Sequence, residues 1–150
     1  SNPKVDRYYK MILNPNNVSR NTFYAIPSGI DLMYTNPVHV HMAEGTFDIL
    51  SVKYNMDHPE IGTHLYYASC GFNFNTILRW LLAKGVNTDL HIHIYSDKDK
   101  GDADHKKYLN TRQNKIWLDH VYIHRNLDER EKDYGVPRYR IQDSYYEWRM

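Results

Sequence analysis

Two six-residue runs, Val38-His39-Val40-His41-Met42-Ala43 and Leu90-His91-Ile92-His93-Ile94-Tyr95, largely alternate apolar with polar residues, and each leads directly into acidic residues. A period of two sends one face of each run into a core and predicts two strands. Beyond the first run stands Glu44-Gly45-Thr46-Phe47-Asp48, and beyond the second Asp97-Lys98-Asp99. In an open α/β sheet the ligand crevice lies past the carboxyl ends of the strands, so the two acidic groups are placed to converge. Converging carboxylates suit a hard divalent cation that also carries phosphate. Zinc would call for several His or Cys ligands.

Helical and strand patterns alternate through the rest of the chain. A helix is expected over about 46–56, with Phe47, Leu50 and Tyr54 on one face, then a strand near His64–Ser69. The strongest helical pattern follows Gly71, where Phe74, Ile77, Leu78, Leu81 and Leu82 recur at helical spacing and Gly85 closes the helix. After the strand at 90–95 come a polar helix over about 102–110, a strand over Ile116–Ile123 and an arginine-rich tail ending in a short helix over Ile141–Trp148. This order predicts an α/β fold, a mostly parallel sheet with helices on both faces. Residues 1–36, broken by Asn14-Pro15-Asn16-Asn17 and Pro27-Ser28-Gly29, read as an irregular or antiparallel lead-in belonging to an upstream subdomain. Residues 37–150 then form the main domain with a C-terminal extension.

Composition narrows the function classes. The 150 residues, 41% hydrophobic, fit one domain with a real core. No long uncharged apolar run and no basic-then-apolar leader occur, so a cytoplasmic protein without membrane attachment is expected. The single Cys70 excludes an internal disulfide and a zinc site built mainly from cysteine, and it is expected as a small core residue. A net charge of +1 argues against a protein that coats nucleic acid, without excluding a local basic groove. Of the 14 tyrosines, most are expected half-buried and a minority free to stack on bases.

The acidic groups carry a family resemblance. Ala43-Glu44-Gly45-Thr46-Phe47-Asp48-Ile49-Leu50-Ser51 resembles the Glu-Gly-x-x-Asp motif of the Toprim domain in its primase form. Ile92-His93-Ile94-Tyr95-Ser96-Asp97-Lys98-Asp99-Lys100-Gly101 resembles that family's strand ending in Asp-x-Asp, although Gly101 stands two residues after Asp99 where primases commonly place glycine three after. Lys132-Asp133-Tyr134-Gly135 is similar to a Lys-Asp pair that often follows the last strand in phage and plasmid primases. The resemblance spans roughly residues 37–135. It implies a Rossmann-like Toprim fold from a phage, plasmid or mobile-element DNA primase, with Mg²⁺ or Mn²⁺ as cofactor. Single-stranded DNA template and ribonucleoside triphosphates would be its partners, with a replicative helicase as a further one. Ser1-Asn2 reads as an expression remnant, in keeping with a domain taken from a larger enzyme.

Phosphodiester formation needs the charge on phosphate neutralised and the attacking 3′-hydroxyl deprotonated or coordinated, and carboxylate-held metal ions serve both needs. Asp97 and Asp99 are assigned to metal, as alternate residues past a strand end. Glu44 is assigned as catalytic base or shared metal ligand, and Asp48 as an outer metal ligand or a favourable charge at a helix start. Gly45 would let backbone approach a phosphate, and Lys98, Lys100 and Lys132 would bind nucleotide phosphates, although single lysines are more often solvated surface. Arg125, Arg130, Arg138 and Arg140 are expected on a solvated face. The aromatic group Tyr145, Tyr146 and Trp148 is expected on a docking helix.

Three other readings compete. A Toprim-type nuclease or topoisomerase fragment would use the same acids. Asp89-Leu90-His91-Ile92-His93 with Ser96-Asp97, together with His39-x-His41 and Asp119-His120, resembles the PHP family of metal-dependent phosphoesterases. That family implies a distorted barrel for which the 57 residues after His93 are too few, and it leaves Glu44 and Asp48 unexplained. Alternating His in a half-buried strand is more often a satisfied structural residue than a ligand. The last reading is a platform that binds nucleotide or DNA without chemistry.

Overall fold

The alternating runs do form the centre of a sheet. The computed structural model describes residues 23–26, 37–71, 74–86, 89–118, 120–128 and 133–148. Its strands are β1 (Tyr24–Ile26), β2 (Val38–Ala43), β3 (Thr63–Ala68), β4 (Leu90–Tyr95), β5 (His120–Asn126) and β6 (Asp143–Trp148). The helices are α1 (Thr46–Asn55), α2 (Phe74–Ala83), α3 (Asp102–Leu109) and α4 (Arg112–Trp117), with a 3-10 turn at Arg138–Arg140. The sheet order is β1-β3-β2-β4-β5-β6. The four inner strands are parallel, and β1 and β6 flank them antiparallel. After β2 the chain moves to β3 on one side and then crosses to β4 on the other. The order therefore reverses between β2 and β4, the place where open α/β sheets bind ligands.

Each face of the sheet follows from strand alternation. Val38, Val40 and Met42 of β2 lie on one face with Leu90, Ile92 and Ile94 of β4, against Phe74, Ile77, Leu78 and Leu81 of α2. That stripe is the helical pattern read from sequence, and Gly85 ends it with φ +81°, the left-handed value that favours glycine. On the opposite face Ala43, Tyr66, Ala68 and Tyr95 pack against Ile49 and Val52 of α1 and against Tyr134. Helices thus cover both faces.

The second face holds an unusual set of side chains. The pairings place His64, His39, His91 and His120 in one row across β3, β2, β4 and β5, and Tyr66, His41, His93 and Tyr122 in the next. Neighbouring rings stack, His91 on His120 with centroids 4.4 Å apart and His41 on His93 at 4.7 Å. Every histidine except His105 belongs to this face or, as His58, packs against it in a tilted contact. The buried rings are satisfied by one another: His39 Nδ1 lies 3.1 Å from His93 Nε2, and His93 Nδ1 2.8 Å from His124 Nε2. The alternating histidines of β2 and β4 thus hydrogen-bond within this face of the sheet.

Several sequence expectations are corrected. The apolar face of α1 is Ile49 and Val52, while Phe47 is 81% and Tyr54 61% exposed. The helix is turned by its ties to the 133–137 segment, where Asp48 accepts from the Gly135 N–H at 2.7 Å and Ser51 Oγ donates to the Val136 carbonyl at 3.1 Å. The strand expected at 116–123 starts only at His120, because Thr111 caps α4 through the Asn114 N–H. Ile141–Trp148 contains an edge strand and not a helix, its aromatics paired along β5. Cys70 is exposed just past β3 with φ +56°, outside the core. Of the lead-in, β1 is antiparallel as expected, and residues 1–22 and 27–36 lie outside the described residues. No described helix is long and apolar enough to cross a membrane.

Candidate metal centre

The acids after β2 and β4 meet at the switch between those strands. Asp48, Asp97 and Asp133 each offer a carboxylate oxygen within 4.8 Å of the others. Asp97 also lies close enough to Glu44 and Asp133 to share a proton with them. Three carboxylates thereby converge, from the first turn of α1, the β4–α3 loop and the segment before β6, and Glu44 of the β2–α1 turn adjoins them through Asp97. Among the described residues no Lys or Arg forms an ion pair with Glu44, Asp48 or Asp97. The electrostatic result is clear at Asp97, where burial and then the neighbouring Glu44 carboxylate push the carboxyl up to about 7. Burial also raises Asp48, against the backbone N–H of Gly135, which favours the ionised form.

Local structure explains how each acid is held. The strand β3 runs on beside the β2–α1 turn through Ser69 N–H to the Ala43 carbonyl and Cys70 N–H to the Glu44 carbonyl, both 2.9 Å. A Cβ at Gly45 would stand 2.7 Å from Asp48 Oδ2, so a side chain there would move this carboxylate. A Cβ on Gly135 would stand 3.0 Å from Asp48 Oδ1, so this carboxylate is cradled between two glycines. The loop after β4 is braced from below. Ser96 Oγ lies 2.7 Å from His105 Nε2, and Arg125 donates to the Lys100 carbonyl at 2.9 Å and to Asp102 Oδ1 at 2.6 Å. Arg125 therefore braces the loop, where the sequence suggests only a solvated face.

Not every expected residue joins the centre. The chain turns at 98–99, with the Lys100 N–H donating to the Asp97 carbonyl at 3.1 Å, so Asp99 leaves the strand's alternation and stands exposed outside the converging set. Lys98 Nζ donates to the Asp128 backbone carbonyl. Lys100 borders a separate surface hollow with Asp104, Lys107 and Tyr108. Lys132 lies outside the described residues.

Sequence reasoning left two residues unassigned. Asp133 supplies the carboxylate that Asp99 does not, and its signal was the Lys-Asp-Tyr-Gly string after the last parallel strand. Asn126, 2% exposed, ends β5 and ties the segment in place: its Nδ2 donates to the carbonyls of Asp133 and Arg140, and its Oδ1 accepts from the Gln142 N–H. No sequence pattern marks this asparagine. Its role exists only once the segment has folded back.

An oxygen-only set of carboxylates fits Mg²⁺ or Mn²⁺. Cation binding to the native state should raise Tm by about 5–10 °C at saturating Mg²⁺. Because a metal must displace the proton held by Asp97, the rise should be larger at pH 8 than at pH 6. Asp97→Asn should abolish it and Asp99→Asn should keep most of it in differential scanning fluorimetry. An equal loss in both variants would return Asp99 to the centre.

The phosphoesterase resemblance fares differently. Asp89, His91 and His120 do offer ligand atoms within 4.8 Å of one another. His93, the second histidine of that motif, is buried between His39 and His124, and burial drives it down to about 2. The sheet is open, with β1 and β6 as its edges, and not the barrel that family implies.

No family model, curated protein or solved structure matches this chain.

Proposed function

We propose that this chain is a Toprim-type catalytic domain that binds Mg²⁺ or Mn²⁺ and forms phosphodiester bonds, as the nucleotidyl-transfer centre of a primase acting on single-stranded DNA. The observation that carries the reading is the meeting of Glu44, Asp48, Asp97 and Asp133 at the switch between β2 and β4. Carboxylates from three separate stretches of chain gather there, and burial together with the Glu44 carboxylate raises the Asp97 carboxyl, as at sites built to hold a cation.

The chain's own groups divide the work. Asp97 and Asp133, with Asp48 behind them, would hold the cation. Bound there, it supplies charge neutralisation on the triphosphate and acidifies the attacking hydroxyl. Glu44 accepts the proton of the primer 3′-hydroxyl as that oxygen bonds to the α-phosphorus and pyrophosphate leaves. Asp48 keeps one oxygen on the Gly135 N–H, which holds its carboxylate in place beside Asp97 and Asp133. The Arg125 and Ser96–His105 contacts hold the Asp97 loop at that distance.

The test is an assay of the full parent protein with single-stranded DNA, labelled ribonucleoside triphosphates and Mg²⁺ or Mn²⁺. Short RNA made without a primer supports the reading. Shortened DNA without RNA would favour the nuclease alternative, and neither product from a metal-bound protein would favour the platform.

A further inference from the structure

The histidine face contains a second constellation, of different donor type from the carboxylates, with His41 three residues before Glu44. His41 of β2, His64 of β3 and His58 of the α1–β3 connection each offer a ring nitrogen within 4.8 Å of the others. His41 is buried and the other two are half-buried, so the cluster borders solvent on the side of His58 and His64.

The remaining ring nitrogens decide what the cluster is suited for. His58 Nε2 lies 2.7 Å from the Val52 carbonyl, and His64 Nε2 lies 2.8 Å from the Glu60 carbonyl. A carbonyl only accepts, so each of these nitrogens carries the proton and leaves Nδ1 with a bare lone pair. His41 Nδ1 lies 2.8 Å from the Tyr95 hydroxyl, and its Nε2 lies 2.9 Å from His64 Nδ1. The Tyr95 hydroxyl can give or take a proton, so His41 can free Nε2 by shifting its own proton to Nδ1. Each of the three rings can then offer one lone pair while its other nitrogen keeps a hydrogen bond. That hydrogen bond is the support that metal-binding imidazoles nearly always have. Burial also lowers the pKa of His41 and His58, which keeps those rings neutral.

From this geometry we infer that His41, His58 and His64 form a binding site for a borderline-soft divalent metal ion, with zinc the best match. Three imidazole nitrogens and one open position are a coordination set of catalytic-type zinc. With Zn–N near 2.0–2.1 Å in a tetrahedron, the nitrogens stand about 3.4 Å apart. The His41 and His64 nitrogens, now 2.9 Å apart, need to open by only about half an ångström. The ligands come from two adjacent strands and the connection between them, so the ion would pin the 56–62 connection onto the sheet. The carboxylate centre offers oxygen only and prefers a harder ion, so the two sites are separable by metal as well as by mutation.

The test titrates Zn²⁺, and Co²⁺ as its visible-spectrum probe, into the EDTA-treated full chain. One equivalent of Zn²⁺ should raise Tm, and Co²⁺ should give the intense absorption of a tetrahedral nitrogen site. His58→Ala and His64→Ala, both at half-buried positions, should each weaken zinc by more than the about 10-fold to 100-fold that loss of an outer hydrogen-bond partner costs. His120→Ala and Glu44→Gln should leave the zinc response unchanged, and Glu44 variants should lose only activity at the other centre. Imidazole ¹⁵N spectra of the wild-type chain give a reading that needs no variant: zinc should move the resonances of His41, His58 and His64. Full affinity in both alanine variants, an octahedral Co²⁺ spectrum, or ¹⁵N shifts confined to His91 and His120 would each overturn the site.

Discussion

Glu44→Gln in the full parent protein is expected to lower primer synthesis by at least about 100-fold, the scale of general base catalysis, while single-strand binding changes less than about twofold. Glutamine keeps the side chain's length and removes both its charge and its basicity. Binding should survive because phosphate attraction comes from positive groups spread over a surface, and removing one negative charge does not weaken it. The fold should survive too. Glu44 contributes its backbone carbonyl to the Cys70 N–H, and that bond is untouched by the side chain. The measurement is labelled ribonucleotide incorporation beside a binding titration at fixed salt. Normal synthesis would remove Glu44 from catalysis, and an unfolded variant would make it a structural residue.

The same substitution acts on a neighbour. Asp97 is held up near 7 partly because the Glu44 carboxylate stands beside it. Removing that charge should bring Asp97 down toward the ordinary carboxylate range, which makes it a readier ligand at neutral pH. Glu44→Gln should therefore keep a Mg²⁺-induced rise in Tm even as activity collapses. A residue that served only as a metal ligand would lose both together.

How much of this was legible in the sequence depends on the range of the forces involved. Strands β2 and β4 and the stripe of α2 are written in local periodicity, since burial on one face is what selects residues at spacing two or at spacing three and four. Glu44, Asp48 and Asp97 were legible for the same reason, because a strand's end marks the crevice. The failures occur where a contact distant in sequence decides. The rotation of α1 is set by Gly135, 87 residues beyond Asp48. The aromatics Tyr145, Tyr146 and Trp148 fit neither period cleanly, and pairing with β5 settles them as strand. Asp133 replaces Asp99 in the cluster because Asn126 folds the 133–142 segment back across the strand ends, a closure that no local pattern encodes. Taken one by one, alternating histidines read as structural residues by default. Their assembly into rows depends on the strand order, which brings β3 and β4 to either side of β2.

That face should make the protein sensitive to mild acid. Burial lowers the pKa of His41, His39 and His58, takes His93 to about 2, and takes His105 beneath α3 to about 4. In the unfolded chain each titrates near 6.5. Above that pH none is protonated in either state and stability is full. As pH falls from 6.5 toward the folded values, the unfolded chain takes up protons that the fold refuses, and stability is lost. Asp97 and Asp48 act in the opposite sense, because their raised carboxyls bind protons in the fold first. Counting only His41, His93 and His105, three of the rings that burial lowers, against Asp97 leaves a net of about two protons near pH 5.5. At about 1.4 kcal/mol per pH unit for each, the loss is about 3 kcal/mol per pH unit. Between pH 6.5 and 5 the loss comes to about 3–4 kcal/mol, a large part of the stability of a domain at the low end of the usual range of about 5–15 kcal/mol. Urea melts at pH 7.5, 6.5 and 5.5 followed by circular dichroism measure the slope directly. Equal stability at 7.5 and 5.5 would mean that the rows open to admit protons without unfolding, and that the histidine face is a solvated surface and not a second core.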